Sequence, residues 1–64
     1  MNRERQTAVA RLLLIGEVAE GLGVSARTVR RLIARRELVA CRLGRSVRVH
    51  PDDLAAYINR RRGL

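Results

Sequence analysis

This 64-residue chain has no lysine, phenylalanine or tryptophan, and only one cysteine, one tyrosine and one histidine. Each scarcity closes off a class of structure or chemistry. Because Tyr57 is the only Phe/Tyr/Trp residue, the core has to be assembled from Leu, Ile, Val and Ala. The same shortage leaves no aromatic platform for stacking unpaired RNA bases. A lone Cys41 cannot close an intramolecular disulfide. Cys41 and His50 together fall short of the four ligands of a structural zinc site, so neither metal nor cofactor is expected. No second His or acid is spaced to activate Ser25 as a nucleophile, so enzymatic chemistry is not expected either. The longest apolar run, residues 12–15, is far too short to cross a bilayer, and no secretory apolar region precedes it. A reducing cytoplasm is the simplest address. A cationic membrane-active peptide is disfavoured because no segment joins an aromatic-rich apolar face to a basic one.

What is abundant is arginine. All fourteen basic residues are Arg, against six acids, giving a net charge of +8. Codon bias in a GC-rich genome accounts for the missing lysine but not for the charge. A balance of this kind predicts a polyanionic partner, and the planar guanidinium fork suits phosphate oxygens and guanine edges. The apolar fraction of 47% is that of a globular protein. A chain this short makes one domain and buries roughly 60% of the surface its unfolded form exposes, which makes it marginally stable.

Along the chain, residues 1–11 are polar, carry three arginines and lack an apolar stripe, which predicts a loose N-terminal arm. Residues 12–62 form the domain. Ile15, Val18, Ala19 and Leu22 fall on one helical face, which predicts a first helix over 16–22 with Glu17 at its positive end and Gly23 as its left-handed stop. Ser25 is placed to cap a second helix running to about Arg36, with Val24 and Val29 spaced as a hydrophobic staple. Val29, Leu32 and Ile33 make its apolar stripe, and the opposite side is centred on Arg27, Arg31 and Ala34, flanked by Arg30 and Arg35. No acid interrupts this face before Glu37. Two helices separated only by Gly23-Val24-Ser25 match the helix-turn-helix unit. Residues 39–43 and 47–50 then alternate as strands around Gly44. A two-residue loop would mix polar and apolar side chains on each face. A three-residue loop, Gly44-Arg45-Ser46, would gather Val39, Cys41, Leu43, Val47 and Val49 on one face and Arg42, Arg48 and His50 on the other, so burial favours it. A third helix is expected from Pro51, with Asp52 and Asp53 at its positive end, a stripe of Leu54, Tyr57 and Ile58, and Arg60, Arg61 and Arg62 at its negative end. His50 is expected to be a strand-end residue or a helix cap.

The order helix, turn, helix, hairpin, helix describes a mainly α winged helix-turn-helix with a small β-hairpin. The stretch LLLIGEVAEGLGVSARTVRRLIARRELVACRLGRSVRVHPDDLAAYI, residues 12–58, resembles the excisionase-type, MerR-like winged-helix DNA-binding domains. GVSARTVRRLI, Glu37-Leu38 leading into the hairpin, and RLGRSVRVHPDDLAAYI carry the resemblance. The chain departs from that pattern at Leu14, where a Thr cap is common, at Gly16 and Gly21, and at Val47, where an aromatic residue is common. These changes predict a looser first helix and a lighter wing core.

The resemblance implies that the second helix enters the major groove and the hairpin serves as a wing against the neighbouring minor groove or its phosphates. It implies an interface of Ser25, Arg27, Thr28, Arg30, Arg31 and Arg35 on the recognition helix and Arg42, Arg45, Ser46 and Arg48 on the wing. It further implies double-stranded DNA as partner and an excisionase that binds repeated sites, bends DNA and directs a phage-type integrase toward excision. Such a protein is expected to be a monomer in solution and to assemble cooperatively, head to tail, on DNA. A small phage-type transcriptional regulator built on the same module is the alternative. MerR-like regulators normally carry a long dimerising helix after this module, and the two residues after 62 are not expected to supply one, so that function is disfavoured.

Overall fold

A computed structural model describes residues 11–63 of the chain. Strand β1 (Leu13–Leu14) runs directly into helix α1 (Ile15–Leu22). Leu14 stands at the cap position and has no side-chain acceptor to offer, but the Glu17 carboxylate reaches back to accept its backbone N–H at 2.8 Å, which is the reciprocal half of a capping box. Gly23, with φ +72°, ends the helix. Helix α2 (Ala26–Ala34) begins at Ser25, whose Oγ accepts the Thr28 N–H at 3.1 Å. It stops two residues earlier than the apolar period suggests, because Arg35 caps it and Arg36 turns left-handed at φ +62°.

The hairpin consists of β2 (Cys41–Leu43) and β3 (Ser46–Val49). Their register pairs Cys41 with Arg48, Arg42 with Val47 and Leu43 with Ser46. The loop is therefore Gly44-Arg45, and the expected three-residue loop is corrected. That expectation rested on burying a continuous apolar face, but the wing extends past the core: Val39 and Leu43 are 56% and 54% exposed. With little burial to decide there, turn chemistry sets the register. Gly44 has φ +63° and Arg45 a negative φ, the sign pattern of a type II′ turn, whose twist matches that of the strands. Strand β1, too short to show an alternation in sequence, adds a third strand on the other side of β3, in the order β1-β3-β2, with Leu13 opposite Val49 and Leu14 opposite Arg48.

One parity of β3 thus faces the helices. Val49 is completely buried and packs in the core with Val18 and Ala19 of α1, Val29 of α2 and Leu38 from the loop after α2. Fully burying a Val or Leu side chain contributes about 1.5–3 kcal/mol, so these few residues carry most of the cohesion. Leu38, the largest of them, is not part of any periodic stripe. Helix α3 (Pro51–Arg61) lies at the margin. Leu54 and Tyr57 pack against the core, whereas Ile58, expected in the buried stripe, is 39% exposed. His50 caps α3, its Nδ1 accepting the Asp52 N–H at 2.9 Å. At its far end Arg60 donates to the Glu37 carbonyl at 2.8 Å and Arg61 to the Glu37 carboxylate at 3.0 Å, with the Arg61 guanidinium 5.5 Å from the Tyr57 ring centroid. Arginines placed from sequence only at a helix dipole therefore tie α3 to the loop that ends α2. The observed architecture is a winged helix-turn-helix of three helices and a small antiparallel sheet.

Candidate nucleic-acid interface

The polar side of α2 follows from its cap and its period. Ser25 accepts the Thr28 N–H and donates its own hydroxyl to Thr28 Oγ1 at 3.0 Å. Both hydroxyls are thus ordered, and the Thr28 O–H remains free to donate outward. At about 100° per residue, Arg27 and Arg31 project within about 20° of the direction opposite Val29, and Arg30 and Arg35 lie about 80° and about 60° from that direction, on opposite sides of it. All four are exposed, as is Ser25; Thr28 is half-buried against the turn. The expected recognition-helix residues therefore share one accessible surface.

The wing is divided differently from expectation. Arg42 lies opposite Val47, on the parity of Val49 and so on the side of α2; Arg48 lies opposite Cys41 and Leu14, on the outer side of the sheet. Placing Arg42, Arg48 and His50 on one face is thus corrected, with the two-residue loop as the cause. Arg48 is half-buried and donates to the Val47 carbonyl at 3.1 Å. Ser46 shares its side of the sheet and is half-buried. Arg45 is exposed at the turn. Among the predicted wing residues, Arg42 is therefore brought to the recognition helix, Arg45 to the tip, and Arg48 and Ser46 to the far side.

Between α2 and the wing runs a cleft of about 540 Å³. Ile33, Leu38, Ala40 and Val47 line it, and Arg30, Arg36 and Arg42 stand around it, with no carboxylate among the described residues there. Arg36 was not among the residues singled out from sequence. Its signal was available only as the second of two arginines at the end of the expected helix. Among the described residues, no group of three or more His, Cys, Asp or Glu side chains is gathered to hold a metal ion. Among them, too, no helix is long and apolar enough to cross a membrane.

A family model described as a helix-turn-helix domain matches residues 12–62. The chain belongs to this helix-turn-helix family. The match bears out the excisionase-like resemblance read from residues 12–58. Two curated proteins of Mycobacterium tuberculosis are also similar: “Putative DNA-binding protein MT0521” from strain CDC 1551 / Oshkosh and “Putative DNA-binding protein Rv0500A” from strain H37Rv. Each is 51% identical over 47 residues, which is 73% of this chain and 60% of the relative. The match thus spans about three fifths of the length of these relatives. No solved structure matches the chain.

Proposed function

We propose that this protein binds double-stranded DNA, with α2 in the major groove and the wing against the adjacent minor groove or its phosphates, and that it carries out no catalysis. The observation that carries the reading is the set of exposed arginines, Arg27, Arg30 and Arg31 on α2, Arg36 and Arg42 with Arg30 around the cleft, and Arg45 at the turn, with no acid lining that cleft among the described residues. A surface of this kind neutralises phosphates, and the exposed N-terminal half of a recognition helix is the part that reaches bases. Membership of the helix-turn-helix family and the names of the two relatives support the same partner. Ser25, Thr28, Arg35, Ser46 and Arg48 complete the proposed interface, with Arg48 and Ser46 at its margin.

The finer role is that of an excisionase: several copies occupy repeated sites, bend the DNA and direct a phage-type integrase toward excision, in the cytoplasm. The resemblance of GVSARTVRRLI and RLGRSVRVHPDDLAAYI supports this role. Footprinting on the DNA flanking the gene, followed by an excision assay with the neighbouring integrase, tests it. Protected direct repeats and integrase-dependent excision are expected. One protected inverted repeat at a promoter, with no effect on excision, would establish the regulator instead. Preference for single-stranded RNA over duplex DNA in direct competition would remove both roles.

A further inference from the structure

We propose that Arg36 is a DNA-phosphate contact, held beside the cleft between α2 and the wing in a backbone conformation that favours glycine. The proposal rests on the DNA-binding reading above and adds a residue to that interface.

The two helices of the helix-turn-helix unit end in the same hydrogen-bond pattern. After α1, Gly23 N–H donates to the Glu20 carbonyl at 3.2 Å and Val24 N–H to the Ala19 carbonyl at 3.0 Å. After α2, Arg36 N–H donates to the Ile33 carbonyl at 3.0 Å and Glu37 N–H to the Leu32 carbonyl at 2.9 Å. Both are Schellman endings, which place a left-handed residue just past the helix. Gly23 takes that conformation at φ +72° with no Cβ to strain; Arg36 takes it at φ +62° with one. Arg36 is the only non-glycine residue with positive φ among the described residues.

The fold draws no evident return from this arginine. Among the described residues its guanidinium makes no hydrogen bond and no ion pair, and the adjacent Glu37 is engaged by Arg60 and Arg61. A cation is favourable near a helix C-terminus, but Arg31 in the last turn and Arg35 at the cap already supply that. What Arg36 does add is a third guanidinium around a cleft that holds Arg30 and Arg42 and, among the described residues, no acid. Three cations facing one groove repel each other until an anion lies between them. A phosphate strand passing between recognition helix and wing is the anion that the proposed docking supplies.

The test uses the whole chain and a duplex of arbitrary sequence, because phosphate contacts do not depend on sequence. Arg36→Gly is expected to raise Tm by about 4 °C, and to reduce the slope of log K against log salt by about 0.9. Arg36→Lys is expected to restore the slope without the gain in Tm. A structural role alone would not move the salt slope. An unchanged slope in Arg36→Gly, while Arg42→Ala lowers it, would overturn this proposal and leave the DNA-binding reading standing. An Arg36→Gly variant no more stable than the parent would overturn the claim about its backbone. A parent chain that binds no duplex at low salt would remove the DNA-binding reading and this proposal with it.

Discussion

Ser25 serves two purposes that a single pair of substitutions separates. Its oxygen caps α2, and its position at the exposed start of that helix puts it where the proposed phosphates lie. Ser25→Ala removes the cap and should lower stability by about 1 kcal/mol, read from the urea midpoint. Ser25→Asp keeps a cap acceptor and adds a charge favourable to the helix dipole, so it should fold as well as the parent yet bind duplex DNA more weakly. Equal binding by Ser25→Asp would mean that the start of α2 stays away from the phosphates. On the opposite side from Val29, Arg27→Ala or Arg31→Ala should cost about 1–3 kcal/mol on the cognate site if that arginine reads a base. Gel shifts showing both variants at parental affinity would refute the docking of α2. These residues were legible in the sequence because a cap and a helical period are local patterns. Arg36 was not, because its conformation depends on where the helix stops. That stop follows from Leu38, which is 1% exposed and turns into the core with its N–H on the Leu32 carbonyl at 3.2 Å.

At the scale of elements, the helices and the hairpin were readable, but the hairpin's register and the third strand were not. Each helix has a stripe that meets the core, so its existence follows from period alone. The hairpin offered two registers, and the choice between them turned on how much of the wing is buried, a tertiary quantity. Since Leu43 and Val39 stay largely exposed, the apolar alternation that favoured the longer loop had nothing to pack against. Strand β1 was missed for a related reason: two residues carry no period, and Leu13 becomes a strand residue only because Val49 lies opposite it. The observed register changes what the wing arginines should do. Arg42 faces the α2 cleft and Arg48 the outer side of the sheet, so Arg42→Ala should weaken binding more than Arg48→Ala. Arg45 is exposed in the turn. Arg45→Ala should therefore leave stability within about 0.5 kcal/mol and lower the salt slope by about one. Parental binding by Arg42→Ala together with a large loss in Arg48→Ala would mean that DNA meets the far face of the wing.

For the molecule as a whole, charge and core act against each other. The fully buried side chains among the described residues are few, while the chain carries +8. Self-repulsion of that size works against compaction and also keeps copies apart. Among the described residues, the large apolar side chains left exposed are Leu14, Val24, Val39, Leu43 and Ile58. They are spread over β1, both connecting turns, the wing and α3, so none of these described elements presents an apolar seam to a second copy. Two copies meeting in water would add repulsion between like charges to this lack of a seam, which predicts a monomer. DNA changes the first of these terms. Phosphates neutralise the arginines of each bound copy, so contacts too weak to hold a dimer in solution can favour neighbours on adjacent sites. A single module also covers little DNA, so selectivity has to come from several copies side by side. Head-to-tail contacts of this kind need not close into a symmetric pair. The expected outcome is a monomer in sedimentation without DNA, and gel shifts in which two direct repeats fill together at concentrations that leave a single-site probe mostly free. A stable dimer without DNA, or one inverted repeat filled by a symmetric pair, would refute this assembly and favour the regulator over the excisionase.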